Sequence, residues 1–158
     1  LMRNHGMADR NTVETFGYVS RLDTVQAAIL NYRIEHLDEV ISRRRANATR
    51  YRSLLNENHV LWPAENPRFF DTFHTFVIQV SRRDELQNFL LKNGVQTAIH
   101  YPVPIHLQPA AAGLGYKSGD FPKTERQSKR ILTLPINQFV TAKDIEFVAD
   151  LVNEFYEV

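Results

Sequence analysis

Cysteine is absent from the 158 residues. That excludes a disulfide framework, thiolate metal ligation and a cysteine nucleophile, and it favours a reducing compartment, the cytoplasm. An excess of charge of either sign is also lacking: 19 Lys and Arg stand against 18 Asp and Glu, a formal +1. No overall field therefore draws the chain to nucleic acid or to an anionic membrane, and neither is expected as a partner. Apolar runs extend over only a few residues, too short for a membrane span, and the opening LMRNHGMADR has no apolar stretch of the signal-peptide kind. GxGxxG, P-loop and GxSxG patterns are missing, internal repeats and low-complexity tracts are missing, and no two carboxylates are spaced for acid and base work. What remains is ordinary globular usage, 43% hydrophobic and 23% charged. The chain opens on leucine and a polar stretch, as expected of a portion of a longer polypeptide.

The periodicities predict an order of elements. Residues 1–21, with Gly6 and Gly17 and no sustained period, read as a connector. From Leu22 to Asn56 no Gly or Pro occurs, and Leu22, Val25, Ile29, Tyr32, His36 and Val40 recur at spacings of three and four. This predicts one long helix over 22–56, roughly 50 Å at 1.5 Å per residue. Its reach exceeds what a domain of this size covers, so one end is expected to pack on a further domain or a second subunit. Alternation over Phe73–Val80 predicts a strand with Phe76, Ile78 and Val80 on one face. Ser81 is the expected cap of a short helix ending at Gly94, and Val95–Ile99 is expected as a second strand. Pro102 and Pro104 stop that strand and stiffen an exposed turn, YPVPIH. After a glycine-bearing loop, Asp120 is the expected cap of a helix running to Ile131, LTLP is a brief extended piece, and Thr141 with Asp144 caps a last helix burying Ile145, Val148, Leu151, Val152 and Phe155. The fold class is α+β, a small antiparallel or mixed sheet with helices on one face, in a domain over 22–158.

Two groups of residues invite a chemical reading. Arg43, Arg44 and Arg45, with Arg50 and Arg52, carry the guanidinium groups that hold phosphate, but their place opposite the apolar stripe, with Glu39 four residues before Arg43, reads as a solvated helix face. His100 and His106 flank the proline turn without a third metal ligand at matching spacing, so no metal site is expected. His100, Tyr101 and His106 instead present hydrogen-bonding groups from a pre-organised loop.

Two stretches add a resemblance. FGYVSRLDTVQAAIL (16–30) with RRRANATRYRSLL (43–55), and GVQTAIHYPVPIHLQP (94–109) with GDFPKTERQSKRILTLPINQFVTAKDIEFV (119–148), closely resemble the C-terminal portion of the DegT/DnrJ/EryC1/StrS family of pyridoxal-phosphate-dependent nucleotide-sugar aminotransferases. The resemblance implies the small C-terminal domain of a fold-type I aminotransferase, a homodimer, pyridoxal phosphate as cofactor of the full-length protein, and transfer of an amino group from an amino acid, typically glutamate, to a keto-sugar nucleotide. His100, Tyr101 and His106 match residues that lie near the sugar in relatives. Arg21 sits in the turn Gly17-Tyr18-Val19-Ser20-Arg21-Leu22-Asp23, which in the family reaches across the dimer. Together these four are the implied substrate-site residues. Val19 replaces the family's Asn and has no donor for a phosphate.

The lysines are Lys92, Lys117, Lys123, Lys129 and Lys143, all in segments that resemble the peripheral domain. None matches the Schiff-base lysine, so the chain alone is expected to carry no catalytic residue, to be inactive and to hold no cofactor. Two alternatives stand beside this reading: a non-catalytic binding or dimerisation module derived from the family, and the same domain of a related sugar dehydratase.

Overall fold

A computed structural model describes residues 4, 7–9, 11–18, 20, 22–64 and 66–157. It divides into two compact units, Leu1–Glu39 and Val40–Val158. In the first unit, an isolated antiparallel bridge joins Met7 to Val13, and Asp9 closes a turn by accepting from the Asn11 and Thr12 N–H groups at 2.8 and 2.9 Å. Helix α1 follows, Thr24–Glu35.

The single helix expected over 22–56 is two helices, α1 and α2 (Leu37–Leu54). The break falls at His36, whose N–H donates to Arg33 O at 3.3 Å, the three-residue reach that tightens a last helical turn. No Gly or Pro marks this point. Charge does: Arg33 lies in the last turn of α1, and Asp38 and Glu39 lie in the first turn of α2, each with the sign that its helix end favours.

The second unit is built on a three-stranded antiparallel sheet of order β1-β2-β3. Its strands are β1 (Val60–Leu61), β2 (Phe76–Val80) and β3 (Ile131–Leu134). In register, Phe76 opposes Leu134 and Ile78 opposes Leu132, so buried apolar pairs meet on one face, as the period of two requires. Against that core lie Ala48 and Tyr51 of α2, Leu86 and Leu90 of α3 (Arg83–Lys92), and Ile145, Val148, Ala149 and Val152 of α5 (Ala142–Glu157). Tyr51 is wholly buried, stacks on Phe76 with centroids 5.1 Å apart, and donates its hydroxyl to Pro135 O at 2.9 Å. The α+β architecture expected from the sequence is the one observed.

Several local expectations shift. The residue at the start of α3 is Arg82, in the left-handed region at φ 52°, and not Ser81. Its guanidinium bonds Glu85 at 2.9 Å and lies 4.6 Å above the Phe155 ring, contacts that offset an unfavourable backbone. Helix α4 spans Pro122–Ser128 and starts after Phe121, while Asp120 turns back to accept from Lys117 N–H at 2.9 Å. Residues 95–99 form no strand: Ala98 alone bridges Thr133, through N–H···O bonds of 3.2 and 2.7 Å. The chain then leaves the edge at His100 before a ladder can develop. The box at α5 is as expected, with Thr141 N–H and Oγ1 donating to Asp144 Oδ2 at 2.8 and 2.7 Å and Asp144 N–H donating back at 3.3 Å.

Because Tyr51 supplies the bond to Pro135 from inside the core, Tyr51→Phe removes one hydrogen bond without opening a cavity. The expected loss is about 1 kcal/mol, seen as a lower urea midpoint with an unchanged slope.

Candidate functional site

Gly94, at φ 82°, ends α3, and Val95 N–H closes the turn on Leu90 O at 2.9 Å. The chain next touches the free edge of β3 through Ala98 and Thr133. Thr133 is buried at 9% exposure, and its Oγ1 is hydrogen-bonded to His100 Nδ1 at 2.9 Å. The imidazole meets the Tyr101 ring edge-on, with centroids 5.3 Å apart. Tyr101 is 73% exposed. Among the described residues, His100 Nε2 and Tyr101 Oη have no hydrogen-bond partner. The proline-stiffened turn thus presents two polar groups to solvent on a backbone whose start is pinned to the sheet.

His106 has a different place. It lies in a short 3-10 turn, Ile105–Leu107, with its ring 4.7 Å from that of Phe121 and Nε2 3.0 Å from Glu125 Oε1. The Glu125 carboxylate also accepts from Gly119 N–H at 2.8 Å, Ser118 Oγ at 3.1 Å and Phe121 N–H at 3.4 Å. The Gly119 N–H bond, with the His106, Ser118 and Phe121 bonds behind it, holds this carboxyl below its ordinary pKa against the opposing effect of burial. Glu125 therefore gathers the His106 turn, the glycine-bearing loop and the start of α4 onto one side chain.

Of the four residues singled out in the sequence, the structure joins His100 and Tyr101 as one exposed pair and turns His106 to an internal partner. Arg21 lies outside the described residues, as does Val19. Thr133 and Glu125 were not anticipated. Each left a trace, Thr133 as a polar residue between two leucines in LTLP and Glu125 as an acid just inside a proline-started helix. Neither trace says which histidine it serves.

The arginine run is a solvated face only in part: Arg43 is exposed, while Arg44, Arg45 and Arg50 are half-buried. Arg44 approaches His74 Nδ1 and donates to Gln138 Oε1, both at 3.3 Å, Arg45 donates to Asp71 O at 2.6 Å and lies 4.6 Å above the Phe70 ring, and Arg50 pairs with Glu146. These guanidinium groups brace α2 against the 70–74 loop and α5, because a planar fork of donors on an apolar stem suits a half-buried position.

Solved structures share this architecture. The chain aligns with Streptomyces venezuelae DesV, a structure in complex with a ketimine intermediate, at a TM-score of 0.93 and 38% identity over 99% of this chain and 43% of that one. A DegT DnrJ EryC1 StrS aminotransferase from Brucella abortus gives a TM-score of 0.88 and 27% identity over 99% and 42%. The fold is therefore that of pyridoxal-phosphate aminotransferases, in a portion that spans less than half of their length. Among curated relatives, the dTDP-3-amino-3,4,6-trideoxy-alpha-D-glucose transaminase of Streptomyces venezuelae is 38% identical over 99% of this chain and 42% of its own length. A pleiotropic regulatory protein of Geobacillus stearothermophilus is 39% identical over 99% and 43%. The chain belongs to the DegT/DnrJ/EryC1/StrS aminotransferase family, whose model matches residues 1–153, and corresponds to the C-terminal portion of such a protein.

All five lysines are exposed, Lys92 on α3, Lys117 in the loop, Lys123 and Lys129 at α4 and Lys143 on α5, and none is set in the low-dielectric surroundings that activate an amine.

The linkage of Glu125 has a definite sign. With its pKa below the ordinary value in the native state, the unfolded chain binds the proton more readily, so the carboxylate's contribution is complete above the unfolded pKa and is lost as pH falls through the folded one. The stability difference between the native protein and Glu125→Gln is expected to be constant above about pH 5 and to shrink below about pH 4. Urea unfolding at several pH values measures it, and a difference that grows with acidity contradicts the assignment.

Proposed function

We propose that this chain is the C-terminal domain of a pyridoxal-phosphate-dependent enzyme that transfers an amino group from an amino acid, glutamate by preference, to a keto-sugar nucleotide in the cytoplasm. The observation that carries this reading is the agreement with the DesV structure over 99% of the chain. Bound in the full-length protein, pyridoxal phosphate supplies the electron sink for amino transfer. This chain supplies part of the sugar pocket's rim. His100 Nε2 and Tyr101 Oη bond the sugar nucleotide, Arg21 is a further substrate-site residue on the strength of the family resemblance, and His106 keeps the rim in place through Glu125. With every lysine exposed, the amine that holds the cofactor comes from polypeptide outside this sequence, and the chain alone neither binds the cofactor covalently nor transaminates.

The test is the gene's reading frame and its product. An in-frame upstream extension whose product converts glutamate to 2-oxoglutarate only when a keto-sugar nucleotide is present supports the proposal. A start codon next to Leu1, with no such activity, contradicts it. That outcome would favour a non-catalytic binding or dimerisation module, the reading to which the five exposed lysines and the regulatory name of the Geobacillus relative both lean.

The homodimer belongs to the same proposal. Helix α1 buries none of its residues, and Val25, Ile29, Leu30, Tyr32 and Ile34 are all exposed, on more than one side of the helix. Apolar residues around a whole helix fit a position covered in an assembly. The chain is expected to sediment as a concentration-dependent oligomer, and the double change Ile29→Glu and Ile34→Glu to shift it toward monomer. A monodisperse monomer before the change rules the association out.

A further inference from the structure

The segment that carries His100 is tied to one residue of the sheet by three bonds. Thr133 N–H donates to Ala98 O at 2.7 Å, Thr133 O accepts from Ala98 N–H at 3.2 Å, and Thr133 Oγ1 meets His100 Nδ1 at 2.9 Å. The first two are main-chain bonds that any residue at 133 would make. The third belongs to the side chain, and it engages one of the two ring nitrogens.

From this juxtaposition we infer that Thr133 is a positioning residue that sets the tautomer of His100, so that the exposed nitrogen, Nε2, carries the proton and presents an N–H donor. A hydroxyl and a neutral ring N–H are comparable donors, but an imidazole nitrogen with a free lone pair is a much better acceptor than a hydroxyl oxygen, so the favoured arrangement is Oγ1–H donating to Nδ1. The ring proton then resides on Nε2. Burial of Thr133 sharpens the preference, since at 9% exposure its hydroxyl has little water to turn to, and among the described residues Nδ1 of His100 is its side-chain partner. The ring of Tyr101 meets this imidazole edge-on, and Tyr101 is exposed, its hydroxyl without a partner among the described residues. The pair is matched to an oxygen acceptor. Resting on the proposed function, that acceptor is a hydroxyl, carbonyl or phosphate oxygen of a sugar nucleotide, and His100 acts there as a hydrogen-bond donor and not as a proton acceptor.

Long-range proton–nitrogen spectra of the 15N-labelled 158-residue chain read the tautomer directly. They are taken well above the ordinary imidazole pKa of about 6.5, with His100 assigned from the signals lost in His100→Gln. In the native chain and in Thr133→Ser, the Nε2–H form of His100 is expected to dominate. In Thr133→Val, which keeps the main-chain bonds to Ala98, the ratio should fall roughly three- to tenfold, the effect of losing one net hydrogen bond. A native chain dominated by Nδ1–H overturns the inference without recourse to any variant. So does an unchanged ratio in Thr133→Val, or a Thr133→Ser variant that fails to restore the native ratio. Titration with dTDP-glucose forms a separate arm. Shifts at His100 and Tyr101 support the sugar-nucleotide reading of the turn, and their absence counts against that reading while the tautomer ratios still decide the role of Thr133.

Discussion

The antiparallel pairing of β2 with β3 is the constraint on which the second unit depends. Its register sets Phe76 against Leu134 and Ile78 against Leu132, and a slip of one residue would turn this apolar set away from the helices. α2, α3 and α5 bury their apolar stripes on the surface so formed. The same register leaves the outer edge of β3 open at Thr133, where Ala98 of the 95–100 segment bridges it. A pairing that serves stability therefore also fixes where the proline turn leaves the sheet.

From that attachment the candidate site acquires two supports of different kinds. His100 and Tyr101 are carried by a short stretch anchored at Thr133, with polar groups left for a ligand. His106 belongs to the second support, in which the Glu125 carboxylate collects donors from three separate stretches of chain. A charged acceptor in that position stabilises a glycine-bearing loop whose Leu114, Tyr116 and Phe121 all remain exposed. Two histidines six residues apart in a proline-stiffened turn thus carry unlike duties, one facing outward and one holding the loop.

Much of this was legible in the sequence wherever periodicity was sustained. The alternation of Phe76, Ile78 and Val80 and the Thr141–Asp144 box predict what forms, because burial and capping act within a few residues of each other. The break at His36 was not legible from Gly or Pro, and only the charges of Arg33, Asp38 and Glu39 record it. The supposed strand at 95–99 failed for a reason that local pattern does not contain, namely how far the segment stays beside β3. The arginines misled because a helix stripe says which side is polar and not whether a loop folds over it. Thr133 and Glu125 were missed on the same ground, since their partners lie 33 and 19 residues away.

The family membership, the exposed lysines and the anchored turn are what support the proposal that this domain frames a sugar nucleotide while the cofactor's amine comes from elsewhere. A crystal structure of the family-length protein with pyridoxal phosphate and a bound sugar nucleotide tests it most directly. The account predicts His100 Nε2 about 3 Å from an oxygen of the sugar nucleotide, and the cofactor joined to a lysine outside these 158 residues. A cofactor bonded to Lys92, Lys117, Lys123, Lys129 or Lys143, or a His100–Tyr101 turn facing away from the ligand, would contradict it.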